Sequence, residues 1–414
     1  MEQMRKFGLG YCDLPTMLWN VSVMLRVLTL NIDKRNTNRI PIVFYIITIV
    51  VIISYLYVYI FSMVWYSFFY CRRTNNRLSA IIVFSLGVAS AIGVCKLFFM
   101  YLHENKLRDV AAECLLCDSI IVPGSRFQNN ILGTMRDVKK RAMIFWIVII
   151  SNGVVYFSKA LITPGRHFPE DDFILYGLDP IYESPNYEIA LLMTGAGIFV
   201  TVYLPSNITA FLIIITGYIE AQILALSQEI LDIWNDAEEL NNSEILLNDE
   251  QFEHQEKTRT AKINNFVRNR LKEIVKIHIV NINLLHQIEL AFRGAIAVEF
   301  TLLIISLTAA LLGGLENTYM QVPYGLMQVA VDCFIGQRVI DACVNFEKAV
   351  YFCKWENFDN ENMKTIFLIL QISQKTLTMS AERVRVVSPQ SACADSENNL
   401  LRRADEILNG DVFH

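Results

Sequence analysis

Residues 40–66 read "IPIVFYIITIVVIISYLYVYIFSMVWY", a run without one charged side chain. A helix needs about 20 apolar residues to cross a hydrocarbon core roughly 30 Å thick. The run exceeds that length and shows no period-2 alternation of the kind a barrel strand would have. Its reading as a membrane helix decides the fold class, and the rest of the chain agrees. Of 414 residues 53% are hydrophobic and only 19% charged, with a mean hydropathy of +0.36. A soluble chain carries about 25% charge.

Five further segments qualify as spans: Ser79–Leu102, Met143–Thr163, Ile189–Ile219, Leu290–Leu312 and Tyr319–Val339. Thr365–Ala381 is a weaker seventh, interrupted by Gln371, Gln374 and Lys375. The N-terminal 30 residues lack the uninterrupted apolar core of a signal peptide, so the first span is expected to act as its own insertion signal. The chain divides accordingly into an N-terminal segment (1–39), spans 1–4 (40–219), a polar helical extension (220–289), spans 5–7 (290–381) and a polar tail (382–414).

Lys and Arg set the orientation, because cytoplasmic loops carry the excess of positive charge. The N-terminus and the loops after spans 2, 4 and 6 hold 24 basic residues, and the alternate loops hold four. The N-terminus is therefore predicted to be cytoplasmic. This inverts the arrangement of G-protein-coupled receptors, and the sequons at Asn20, Asn207 and Asn241 all avoid the predicted outer loops.

In the long inner segment, Ile263, Val267, Leu271, Val275, Ile279 and Ile282 recur at helical spacing. They form an apolar stripe leading into span 5. Span 4 is expected to extend inward through Ile223, Leu224, Leu226, Ile230 and Ile233. These faces need covering, either by one another or by a second subunit. Arg268, Arg270, Lys272 and Lys276 lie opposite and read as a solvated or lipid-headgroup surface, not a nucleic-acid site. The longest outer segment, "TPGRHFPEDDFILYGLDPIYESPNYEIA" (163–190), is broken by prolines; it is either a lid over the helices or a plain connector.

No hydrolase, zinc-protease or nucleotide-binding motif occurs, so no enzyme activity and no cofactor are expected. Cys114 and Cys117 form a single CxxC without a second pair or a histidine at zinc spacing, and no metal site is expected. Charges at bilayer depth are costly and point to function or to helix pairing. Lys96 and Lys159 lie near span ends, where they can reach the interface. Glu299 and Asp332 fall mid-span; they could line a cation pathway, hold a polar ligand group or bond neighbouring helices. A pocket for an apolar ligand could be walled by Phe84 and Gly87, Ser151 and Tyr156, Thr194 and Phe199, Ser306, and Tyr319 and Tyr324.

The run "DCFIGQRVIDACVNFEKAVYFCKWENFDNENMKTIFLILQISQKTLTMSA" (332–381) resembles the insect odorant receptor family. The matching positions are Cys333, Gly336, Tyr351 and Trp355, followed by the start of a last helix. The outer segment is similar to that of moth and butterfly receptors. The resemblance implies an all-α, seven-span membrane helix bundle with a cytoplasmic N-terminus. It also implies an odorant-gated, non-selective cation channel assembled with the co-receptor Orco in the plasma membrane of olfactory neuron dendrites. Small volatile organic molecules would bind in the outer half of the bundle. The inner ends of spans 4–7 would join subunits, and the end of span 7 would line the pore.

Two positions depart from the family pattern. Gln337 stands where members often carry Glu, and "SPQSACADSENNLLRRADEILNGDVFH" (388–414) replaces a hydrophobic half-helix. The seventh span is thus expected to be incomplete, as in an alternative exon or a shifted frame. A truncated, non-conducting membrane partner is the alternative reading. A secondary transporter is a third, carried only by Pro205 and Pro323 within spans.

Overall fold

The computed structural model describes residues 7–171, 173–245 and 252–385, and among these it is helical with no strand. The segment 388–414, which stands in place of the family's hydrophobic half-helix, lies outside the described residues. Helix α1 is Leu14–Val27, capped by Asp13, whose carboxylate accepts from the Thr16 amide at 3.0 Å. Then follow α2 (Ile42–Thr74), α3 (Arg77–Leu102), α4 (Glu104–Ile120), α5 (Arg126–Ile162), α6 (Asn186–Ile245) and α7 (Phe252–Leu312). The last two are α8 (Gln321–Phe352) and α9 (Asn360–Arg385).

Five of these helices, α2, α3, α5, α6 and α7, are long and apolar enough to cross a membrane. Helix α8 is also long, but Asp332 and Arg338 interrupt its apolar run. Helix α9 runs further than the seventh span predicted from sequence, from Asn360 to Arg385. At about 1.5 Å per residue its 26 residues extend about 39 Å. Helix α2 turns Ile42, Val43, Ile46, Ile49, Ile53 and Phe61 outward, the pattern of a lipid-facing surface. It carries two π-helical stretches, Leu56–Ser62 and Tyr66–Tyr70, a geometry that occurs often near functional sites.

The chain forms two compact units. The first comprises residues 1–120, 135–216 and 287–335. Its helices approach closely where small residues allow it. A β-carbon on Gly93 of α3 would stand 2.9 Å from the Pro205 ring of α6. Within this unit Lys96 is buried, in contrast to the interfacial position expected for it, while Lys159 is exposed. The Lys96 ammonium lies 2.8 Å from Glu299 and 3.3 Å from Asp332, and it donates to the Thr209 hydroxyl at 3.2 Å. The partners come from α7, α8 and α6. All three charged side chains are at most 5% exposed. The reason for the difference is that a charge with two opposite charges in reach is better held inside than an unpaired one would be.

Cys114 is buried on α4, and burial pushes its thiol up, away from the reactive thiolate form. Among the described residues no cluster of His, Cys, Asp and Glu could hold a metal ion.

The second unit comprises residues 121–134, 217–286 and those from 336 onward. Here the apolar stripes are covered within the chain. Val267, Leu271 and Val275 of α7 are buried, as are Ile223, Leu226, Ile230 and Ile233 of α6. Ile282 packs on Ile372 of α9. The polar rim is ion-paired. Glu229 accepts from Arg126 at 2.9 Å and from Arg270 at 2.5 Å, while Arg126 also reaches Asp236 at 2.6 Å. Arg268 pairs with Glu361. Thus two of the four basic side chains read as a solvated face are tied down by carboxylates. Asp359 caps α9 by accepting from the Asn362 amide at 2.8 Å. Asn264 holds that cap, accepting from the Asp359 amide at 3.1 Å. His278 stacks on Phe346 with ring centroids 4.3 Å apart. Neither its ring nitrogens nor the Asn281 amide finds a hydrogen bond among the described residues, although both side chains are buried.

Two outcomes follow from these arrangements. Lys96→Met strands two buried carboxylates and is expected to cost about 3–5 kcal/mol. Adding Glu299→Gln and Asp332→Asn should restore most of the loss, measured as melting temperature in detergent; an additive triple variant would contradict the coupling. Asn281→Leu removes a buried, unsatisfied amide and should raise stability by about 1 kcal/mol. A lower melting temperature in that variant would mean that an ordered water satisfies the amide.

Candidate functional site

Within the first unit the helices leave a cavity of about 50 Å³. Each helix contributes side chains spaced three or four apart, so that one face of each looks inward. Helix α3 gives Leu86, Ala89 and Ser90; α5 gives Asn152, Gly153 and Tyr156; α6 gives Ile198, Thr201 and Val202. Met320, Gln321 and Tyr324 close one side, and Tyr59 enters from the first π-helical stretch of α2. The Tyr59 ring comes so near α6 that a β-carbon on Gly197 would lie 2.6 Å from it.

The wall is mostly apolar, and its polar groups are largely engaged. The Tyr324 hydroxyl donates to the Thr201 carbonyl at 2.7 Å. The Thr201 hydroxyl donates to the Gly197 carbonyl at 3.0 Å, and the Asn152 amide to the Met320 carbonyl at 3.5 Å. Ser90 donates to the Gly87 carbonyl at 2.7 Å. The first and third of these bonds tie neighbouring elements together, the other two stay within one helix, and all four leave the cavity surface mostly to aromatic and aliphatic carbon. Pockets that take small organic molecules are mostly apolar with a few polar groups, and this cavity has that composition.

The outer segment lies over this site, which favours the lid over the plain connector. Its own side chains Phe168, Phe173, Leu175 and Ile181 are buried on its underside. They line a second, smaller cavity of about 10 Å³ together with Thr194 and Glu170. The two cavities share Tyr59, Leu86 and Tyr156. Aromatic contacts fasten the segment to α2: Phe173 meets Tyr66 edge-on at 5.5 Å, and Tyr176 meets Phe61 at 5.3 Å and Trp65 at 5.2 Å. The Tyr57 hydroxyl donates to the Tyr176 carbonyl.

Of the residues named from sequence, Tyr156 and Tyr324 line the main cavity and Thr194 the smaller one. Phe84 packs edge-on against Phe68 at 6.1 Å, and Gly87 makes room for Met63, whose methyl would lie 2.4 Å from an added β-carbon. Ser306 is buried but donates to the Ser85 carbonyl at 3.0 Å, a helix-to-helix bond. Ser151, Phe199 and Tyr319 are exposed, with Phe199 stacked on Tyr203 at 4.9 Å. Glu299 and Asp332 meet on Lys96. Cys333, Tyr351 and Trp355 are exposed, with the Trp355 indole donating to the Tyr351 carbonyl at 3.1 Å, and a β-carbon on Gly336 would meet nothing within 4 Å.

Sequence reasoning missed Tyr59, Asn152, Thr201, Gln321 and Glu170. A single-residue offset accounts for Asn152. Ser151 and Asn152 differ by about 100° around the helix, and the triplet Asn152, Gly153, Tyr156 carries the inward face. The comparable signal on α6 was the spacing of Ile198, Thr201 and Val202. No local pattern pointed to Glu170, which reaches the site through the path of a loop.

The architecture has known counterparts. The olfactory receptor OR5 of the insect Machilis hrabei superposes with a TM-score of 0.60 at 13% identity, over 95% of this chain and 98% of that one. The same receptor in complex with eugenol gives 0.58 at 13% identity, over 96% and 98%. No curated protein sequence matches. A family profile described as 7tm Odorant receptor matches residues 76–388, which takes in the cavity lining except Tyr59, the buried charge cluster and the Cys333–Trp355 motif. Together with five helices able to cross a bilayer, this makes the chain a membrane protein of a receptor family and not of an enzyme family. The chain belongs to the 7tm odorant receptor family.

Proposed function

We propose that the chain is the odorant-binding subunit of a heteromeric, odorant-gated, non-selective cation channel. The observation that carries the reading is the cavity walled by Tyr59, Tyr156 and Tyr324 and roofed by the outer segment, in a chain of the odorant receptor family. The related Machilis receptor has been captured with eugenol, a small volatile phenol. Here the ligand is a small volatile organic molecule. The cavity is smaller than such a ligand, so binding moves side chains of its wall apart. That outward displacement, passed along α6, α7 and α8, is the step that opens the channel. Lys96 ties Glu299 of α7 and Asp332 of α8 to α3, so these three helices move together as one body.

The partner is the co-receptor Orco. The exposed face holding Tyr351 and Trp355 suits contact with another subunit, since large aromatic side chains are enriched at interfaces. The N-terminus is cytoplasmic, and the channel resides in the plasma membrane of olfactory sensory neuron dendrites.

Co-expression with Orco in oocytes, screened against a panel of volatiles, should yield an odorant-evoked cation current. Gly153→Leu crowds the cavity wall, since a β-carbon there would lie 2.5 Å from the Val202 side chain, which also lines the cavity and must shift. This variant should raise the half-maximal odorant concentration by about tenfold or more, equivalent to about 1.4 kcal/mol per decade, at unchanged surface expression. An unaltered dose–response curve would remove the cavity from the mechanism.

A further inference from the structure

The two cavities abut at Tyr156, and the hydroxyl of Tyr156 donates to Glu170 Oε1 at 3.1 Å across the junction. The same oxygen accepts from the Gln321 amide at 3.4 Å. Gln321 is itself fixed from behind, its carbonyl accepting from the Ser85 hydroxyl at 2.8 Å. A chain of polar groups therefore runs from α3 through α8 to the outer segment and back to α5. It ends on a carboxylate, and the side chains lining the two cavities include no Lys, Arg or His.

The bonds from Tyr156 and Gln321 to Glu170 are long. A hydroxyl that donates to a carboxylate typically approaches to about 2.5–2.7 Å, and even N–H donors come within about 2.9 Å. These contacts are loose enough for a stronger donor to replace them. The neutral donors of the wall offer no comparable site, because Tyr324, Thr201, Asn152 and Ser90 are committed to backbone carbonyls. The cavity thus presents an acceptor at one end and carbon elsewhere. A ligand with an ether or ester oxygen there would set its lone pairs against the carboxylate.

We infer that Glu170 sets the ligand class of the cavity, selecting molecules that end in a hydroxyl. The hydroxyl donates to Glu170 Oε1 in place of Tyr156, and the freed Tyr156 hydroxyl donates to the ligand oxygen in return. The apolar tail occupies the larger cavity against Leu86, Ile198 and Val202. Glu170 is a specificity determinant in this scheme and takes no part in any covalent step. The inference rests on the cavity being the ligand site, as proposed above.

Octanol and octyl methyl ether, binding to the purified full chain in nanodiscs, separate the two ideas. They share a tail and differ in the donating hydrogen. The wild-type chain should bind octanol about tenfold or more tighter than the ether, the worth of one hydrogen bond to a charged acceptor. Glu170→Ala should abolish the gap while leaving affinity for the ether nearly unchanged. Glu170→Gln, which keeps an accepting oxygen and the side-chain shape, should leave a gap of a few-fold. Unchanged ether binding also shows that the variants fold. A preference that survives in Glu170→Ala, or equal binding of both ligands by the wild type, overturns the assignment of Glu170 while the cavity stands. Binding that is insensitive to Gly153→Leu, or no binding of either ligand, overturns the cavity and this inference together.

Discussion

One ammonium group and two carboxylates, enclosed among α3, α6, α7 and α8, constrain the first unit more than any other contact. Burying an ion costs several kcal/mol, and attraction between partners offsets that cost only at short range and in good geometry. The helices bearing Lys96, Glu299 and Asp332 therefore have little freedom to slide or rotate relative to one another. Apolar contacts tolerate slippage, since one methyl group replaces another at small cost. The charge cluster does not, and it defines which face of each helix turns inward.

The cavity follows from that register. With Lys96 inward, Leu86, Ala89 and Ser90 lie along the inner side of α3, and Tyr324 of α8 stands opposite, bonded to the Thr201 carbonyl of α6. The outer segment completes the enclosure with Phe168, Phe173, Leu175 and Ile181. Its prolines prevent regular structure, but its aromatic side chains give it a packed underside. A segment so built can close a cavity without adding a span. The cavity thus combines walls tied by helix-to-helix bonds with a roof anchored mainly by ring contacts.

The second unit solves a different problem. Helices continuing beyond a span must cover apolar faces where lipid no longer does so. Val267 and Leu271 of α7 and Ile230 and Ile233 of α6 meet that need inside the chain. The ion pairs of Glu229 with Arg126 and Arg270 fix the rim. Surface pairs contribute little singly, but Glu229 is nearly buried and joins two arginines, so it specifies the geometry more than it stabilises it.

The all-helical membrane fold, the family and the apolar stripes were determined by sequence alone. Each depends on a local regularity: an uncharged run long enough to cross a bilayer, a spacing of three and four, or a short motif around Trp355. The residues of the site were legible only in part. Tyr156, Tyr324 and Thr194 were recoverable as polar or aromatic groups within spans, whereas Ser151 missed the inward face by one position. The tertiary structure alone decided that Lys96 turns to Glu299 and Asp332 instead of toward the interface. It alone brought Glu170 to Tyr156 and Gln321. Both depend on which helices lie side by side and where a loop runs, and the sequence near Lys96 or Glu170 carries no record of Glu299, Asp332 or Gln321, each more than a hundred positions away.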